Sequence, residues 1–201
     1  MRGDSMRSQV AREAARLMLE GGLTDFQFAK RKAAERLGVV DRGALPNNIE
    51  IESALVEYQR LFRSDVQPQR LAALRASAVQ AMRFLVDFEP RLAGPVLSGT
   101  ADQHSAVEIH LHADSPEEVG MFLEERGIPY ELADRRVRTG PDVGQSYPVF
   151  EFMAGDAPIE LLVLPYRMTR QPPLSPVTGK AMQRANLRKA ERLIEAPAES
   201  T

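Results

Sequence analysis

The 201-residue chain contains no cysteine. That excludes disulfides, thiolate-bound zinc and a cysteine nucleophile, and it suits a reducing compartment. Long apolar runs are also missing: no stretch approaches the roughly 18 uninterrupted apolar residues of a membrane span. The arginines of Met1 to Val10 precede no apolar segment of the kind a secretory leader carries. The expectation is a cytoplasmic protein that neither crosses nor binds a membrane. A serine nucleophile elbow, a Walker lysine loop and a dinucleotide glycine fingerprint are all absent, so hydrolase, P-loop and Rossmann readings lack support, and there is no internal repeat. Charge of one sign does not dominate either, with Lys+Arg at 26 and Asp+Glu at 28. The whole chain is therefore not built to coat a polyanion.

What is present is arranged by region. Acids outnumber bases from Asp87 to Glu160. From Arg167 to Arg192 the tail carries Arg167, Arg170, Lys180, Arg184, Arg188, Lys189 and Arg192 against Glu191 alone. Such a strip meets phosphate or serves as a solvated helix face complementing the acidic middle.

Four helical segments lead. Val10, Ala14, Leu17 and Met18 share one helical face and end at Gly21-Gly22. Thr24 and Gln27 have capping-box spacing before a second helix bearing Phe26, Ala29, Ala33 and Leu37. Asn47 and Glu50 open a third, with Ile51, Leu55, Tyr58 and Phe62 at helical spacing. A fourth starts at Pro68 and keeps Leu71, Leu74, Ala78, Ala81, Leu85 and Phe88 on one side until Pro90. The first three are expected to pack on one another and on this long helix as support, without a catalytic part.

The period then changes. Pro95-Val96-Leu97 reads as a short strand stopped by Ser98-Gly99-Thr100. Val107, Ile109 and Leu111 alternate with Glu108, His110 and His112 in a second strand. Ser115-Pro116-Glu117-Glu118 begins a helix that Gly127 ends. A charged third strand spans Tyr130 to Val137. Tyr147 to Ala154 and Pro158 to Leu164 form a hairpin about Gly155-Asp156. After a Pro-rich connection, a last helix runs from about Thr178 to Ile194. The order predicts an α+β fold: a small mixed sheet with an N-terminal helical region over 1–66, an α/β domain with its lead-in helix over 67–165, and a connection with a basic C-terminal helix over 166–201.

The segment Val96-Leu97-Ser98-Gly99-Thr100, followed four residues later by Ser105-Ala106-Val107-Glu108-Ile109, resembles the signature of the nucleotidyltransferase superfamily typified by DNA polymerase beta and the minimal bacterial nucleotidyltransferases. That signature is a Gly-Ser turn, a short loop, then Ser-Asp-x-Asp-Leu on a strand. The resemblance covers Arg83 to Pro165, and the full-length pattern is similar to uncharacterised bacterial proteins described only as nucleotidyltransferase-like. Gly99 and Thr100 match the turn and Ser105 the serine. Glu108 matches the second aspartate, and Ala106 stands where the first would be. Glu160 matches the third carboxylate, from a later strand. The resemblance implies Gly99, Thr100 and Ser105 as phosphate-binding residues, and Glu108 and Glu160 as catalytic, metal-holding carboxylates. The cofactor would be Mg²⁺ or Mn²⁺. Alternate strand residues share a face, so paired acids can hold divalent cations against a triphosphate. The implied reaction is transfer of a nucleoside monophosphate from a nucleoside triphosphate to a hydroxyl acceptor of unspecified identity.

The alternative, favoured by Ala106, is a catalytically degenerate nucleotide-binding or protein-interaction module. His110 and His112 share the face of Glu108 and are either further metal ligands, imidazole favouring Zn, Mn or Fe, or polar residues on the exposed side of a half-buried strand. Glu160 is otherwise an edge-strand glutamate facing solvent. Arg135, Arg136, Arg138, Lys180 and Arg184 are candidate triphosphate clamps. Lys30-Arg31-Lys32 reads as a solvated helix face in preference to a specific DNA reader. The sequence leaves oligomeric state open.

Overall fold

The structure is a computed structural model that describes residues 2–23, 25–39, 43, 45–62, 67–102, 104–140 and 144–195. It divides into two compact units. The first runs to Gln67 and includes Pro176–Gly179, and the second comprises Pro68–Ser175 and the tail from Lys180.

The first unit holds α1 (Arg2–Gly21), α2 (Phe26–Arg36) and α3 (Asn48–Phe62). Their apolar stripes close on one another through Val10, Ala14, Ala29, Ala33, Ile51 and Ala54. The small side chains let helix axes approach closely. Asn47 and Glu50 form the reciprocal cap expected of them: the Asn47 amide donates to Glu50 Oε2 at 2.6 Å and the Glu50 amide to Asn47 Oδ1 at 2.9 Å. At α2 the cap is Asp25, whose Oδ1 accepts from the amides of Gln27 and Phe28. Thr24, the expected cap, lies outside the described residues. Of the basic triplet, Lys30 donates to Asn48 Oδ1, while Arg31 and Lys32 both lie over the Phe28 ring.

The second unit is an α+β domain. Its long helix α4 (Gln67–Phe84) leads through a 3₁₀ turn, Val86–Phe88, into β1 (Arg91–Ala93), short helix α5 (Gly94–Ser98), β2 (Val107–Ala113) and α6 (Pro116–Glu125). Then come β3 (Glu131–Val137), β4 (Gln145–Ala154), β5 (Ala157–Pro165), a second 3₁₀ turn, Tyr166–Thr169, and α7 (Leu187–Glu195). The five-stranded sheet has the order β1-β2-β5-β4-β3. It is mixed: β2 and β5 are parallel, and the other pairings are antiparallel. One face carries Val107, Ile109, Leu111, Ile159, Leu161 and Val163, sealed by Leu74, Ala78, Met82, Val119 and Leu123 of α4 and α6. α4 therefore contributes its apolar side to the core of the sheet. Among the described residues no helix is long and apolar enough to cross a membrane.

Two elements differ from their sequence signals. Pro95–Leu97 is helical, and the strand lies just before it. Gly94 takes a left-handed φ of 67°, which turns the chain sharply after β1, and Pro95 then supplies the fixed φ that favours a first helical turn. The last helix starts at Leu187, not near Thr178. The residues before it are drawn along the sheet edge, where Ala185 and Leu92 exchange both backbone hydrogen bonds at 2.8 and 2.9 Å. An edge strand with open donors is thereby paired, and the helix begins only after Asn186 caps the Lys189 amide.

Candidate functional site

The strand register places the acids. Glu108 of β2 stands beside Glu160 of β5, Glu160 beside Glu151 of β4, and Glu151 beside Glu131 of β3. Directly opposed residues point to the same face, so four carboxylates form a row across the sheet opposite the helix-covered face. Such a row repels itself unless a cation intervenes. Arg135 of β3 is that cation: its Nη2 ion-pairs with Glu160 Oε2 at very close range, and its Nη1 lies 3.5 Å from Glu108 Oε1. Burial disfavours the charged guanidinium, but Glu108, Glu160 and Glu151 outweigh that and hold its pKa above the ordinary arginine value.

Glu160 lies on β5, flanked by β2 and β4, so it is not an edge residue. It is half-buried and ion-paired. Glu108 is nearly enclosed. Burial pushes its carboxyl up, while the hydrogen bond and charge of His110 and the charge of Arg135 more than offset this and leave it below the usual carboxylate value. Because an ionised carboxylate only accepts, His110 Nε2 carries the proton that bridges to Glu108 Oε1 at 3.0 Å. His110 Nδ1 is buried without a hydrogen-bond partner among the described residues.

Glu108 also leans on Gly94. A Cβ at position 94 would lie 2.7 Å from Glu108 Oε2 and 3.3 Å from its Cβ, so the close-approach glycine of this site is Gly94. Gly99, with φ of 84°, caps α5, and the amides of Gly99 and Thr100 both donate to the Pro95 carbonyl. The Thr100 hydroxyl pairs with that of Ser98 at 2.8 Å. Ser105 is engaged locally too: its Oγ accepts from the Asp102 amide and donates to Asp102 Oδ1. The turn and the serine thus satisfy their own loop.

His110 and His112 are both fully buried, in place of the exposed strand side that alternation suggested. His112 is closed over by Arg184 of the tail and by the Glu89 carbonyl. His112 Nδ1 is 3.0 Å from the Glu89 carbonyl, which can only accept, so the proton sits on Nδ1. Nε2 then accepts from Arg184 Nη1 at 3.2 Å. Burial, with Arg184 and Arg91 nearby, pushes the His112 pKa down to about 4. Imidazole NMR should report titration near that value and the Nδ1–H tautomer at neutral pH. A midpoint near the ordinary 6.5 would contradict the arrangement. Folded His112 binds fewer protons than unfolded His112 between these values, so its contribution to stability is complete above the unfolded pKa and is lost as pH falls towards 4.

The other candidate clamps are dispersed. Arg136 Nε donates to the Gly144 carbonyl, and Arg138 is exposed. Lys180 is exposed as well, whereas Arg184 lies against His112.

As arranged, the donor set does not fit a divalent-metal pair. The carboxylates that would converge on a cation converge on Arg135, and position 106 offers a methyl group. Among the described residues no three His, Cys, Asp or Glu side chains assemble as a metal-holding group. Glu151 and Gly94 were missing from the sequence-level site, and Arg135, expected there as a triphosphate clamp, is the counter-ion of the acids. A signal existed for Glu151: a two-residue turn at Gly155-Asp156 sets Ala154 opposite Ala157 and therefore Glu151 opposite Glu160. Comparison of the chain with protein-family models and with curated proteins finds no match.

Proposed function

We propose that this is a catalytically degenerate, nucleotidyltransferase-like binding module acting in the cytoplasm, in which an internal guanidinium has taken over the neutralisation of the acidic face. The observation that carries this reading is Arg135 bridging Glu108 and Glu160. The sequence resemblance supplies the superfamily, the parallel pairing of the strands bearing Glu108 and Glu160 is consistent with it, and the cysteine-free composition supports the compartment. With Ala106 in place of a bridging acid and Arg135 between Glu108 and Glu160, these residues lack the open pair of carboxylates that holds Mg²⁺ or Mn²⁺ for nucleotidyl transfer.

The enzymatic reading keeps one observation in its favour, the two glutamates side by side on one face. Transfer from labelled nucleoside triphosphates across a Mg²⁺ and Mn²⁺ series separates the two. The expected result is no transfer by the wild type or by Ala106→Asp, because a restored acid still faces Arg135. Transfer by the wild type that Glu108→Gln abolishes would establish the enzyme instead.

A further inference from the structure

Away from the acidic row, the second unit carries a cleft of about 330 Å³ whose lining includes Arg91, Arg184, Asn186 and Lys189, and no acid. Three cations face one small space. Among the described residues Arg91 has one carboxylate partner, Glu89, at 3.3 Å. Among the described residues Arg184 meets neutral acceptors: Nη1 meets His112 Nε2, and Nη2 donates to the Met168 and Thr169 carbonyls at 3.0 and 2.9 Å. These bonds fix the guanidinium without answering its charge. Neither Arg184 nor Lys189 has a carboxylate partner among the described residues. Asn186 spends its Oδ1 on the Lys189 amide, which leaves its Nδ2 hydrogens as donors at the same place.

A half-buried arginine without a counter-ion is costly, since burial and the neighbouring Arg91 both disfavour its charge. His112 offers no relief, because its ring is neutral at physiological pH. The unsatisfied component is negative charge. Planar guanidinia and an ammonium group suit a tetrahedral oxyanion, which accepts bidentate and point-charge contacts together. The volume lies at the small end of small-molecule sites.

We propose that this cleft binds a phosphate group, free or as the monoester of a small metabolite. The site is separate from the Arg135-bridged acids, and the proposal does not depend on the nucleotidyltransferase-like reading.

The test is calorimetric titration of the full chain at low ionic strength with inorganic phosphate and, separately, with glycerol 3-phosphate. Submillimolar binding is expected, weakened at least tenfold by Lys189→Ala and by Arg91→Ala and unaffected by Arg136→Ala, whose side chain lies outside this cleft. Tighter binding of the ester would assign the organic group to the cleft as well, and equal affinity would assign the phosphate alone. Circular dichroism and thermal unfolding show whether each variant keeps its fold. Arg184→Gln, which keeps donors for the two carbonyls, provides a second probe of the charge. Absence of binding by the wild type at millimolar phosphate, or binding that the folded Lys189→Ala and Arg91→Ala variants retain, would overturn the proposal.

Discussion

Replacing Arg135 with alanine is expected to destabilise the second unit by about 2–3 kcal/mol, measured by urea unfolding at neutral pH. Removing one partner of a fully buried ion pair costs roughly 3–5 kcal/mol because the other charge is stranded. Here the Arg135 and Glu160 side chains keep 34% and 28% exposure, so solvent screens part of that cost. The loss should depend on pH in a defined sense. In the folded wild type Glu108 is held below its ordinary pKa, so the stability it contributes is present above the unfolded carboxylate value and disappears as pH falls through the lowered one. In the variant Glu108 loses one of the charges that hold its pKa down, so the gap between variant and wild type should narrow as pH falls through the carboxylate range. A gap that stays constant with pH would mean that Arg135 acts through packing alone.

The second large effect is expected at Gly94. Alanine there must adopt φ near 67°, at a cost of about 1–2 kcal/mol, and its Cβ would also intrude on Glu108. Glu108 cannot swing away freely, since its carboxylate is tied to His110 and Arg135. The combined loss should reach about 2–4 kcal/mol, the strain being added to a disturbed buried ion pair. Pairing Gly94→Ala with Glu108→Ala in a double-mutant cycle separates the two contributions. If the intrusion matters, the glycine substitution should cost clearly less once Glu108 is gone. Equal costs would leave backbone strain as the whole effect.

Much of the fold was legible wherever a periodic pattern was long enough to repeat. The stripes of α1 to α4, the alternation of β2, the helix start at Ser115-Pro116-Glu117-Glu118 and the β4–β5 hairpin all follow local rules that tertiary packing then reinforces. β1 escaped because three residues cannot display a period. Its neighbour Pro95-Val96-Leu97 is apolar enough to pass for a strand, although a proline lacks the donor a ladder needs. The tail helix was overestimated for a different reason. Ala185 is committed to Leu92, a partner more than 90 positions away by residue number, and no local signal reports such a bond. The burial of His110 and His112 was illegible on the same ground, because alternation separates the two faces of a strand without saying what covers the second.

The candidate site divides similarly. Alternation placed Glu108 on a polar strand face, and the apolar run around Glu160 marked an acid needing a partner. The parallel pairing that joins them, and the reach of Arg135 from the far edge strand, depend on sheet order, which the sequence pattern does not contain. Within Glu131–Val137 the sequence offered Arg135 and Arg136 as clamps for a triphosphate, not as partners of the protein's own acids. In the fold one of them is the counter-ion of a row of acids.

Arg135 holds the place of a cation on the acidic face, and Mn²⁺ binding followed by electron paramagnetic resonance reports on that place directly. The wild type should bind no Mn²⁺ through Glu108 and Glu160 at submillimolar concentration. Arg135→Ala should acquire binding that the further change Glu108→Gln removes. Tight Mn²⁺ binding by the wild type that is abolished by Glu108→Gln would contradict the account and restore the metal-dependent reading.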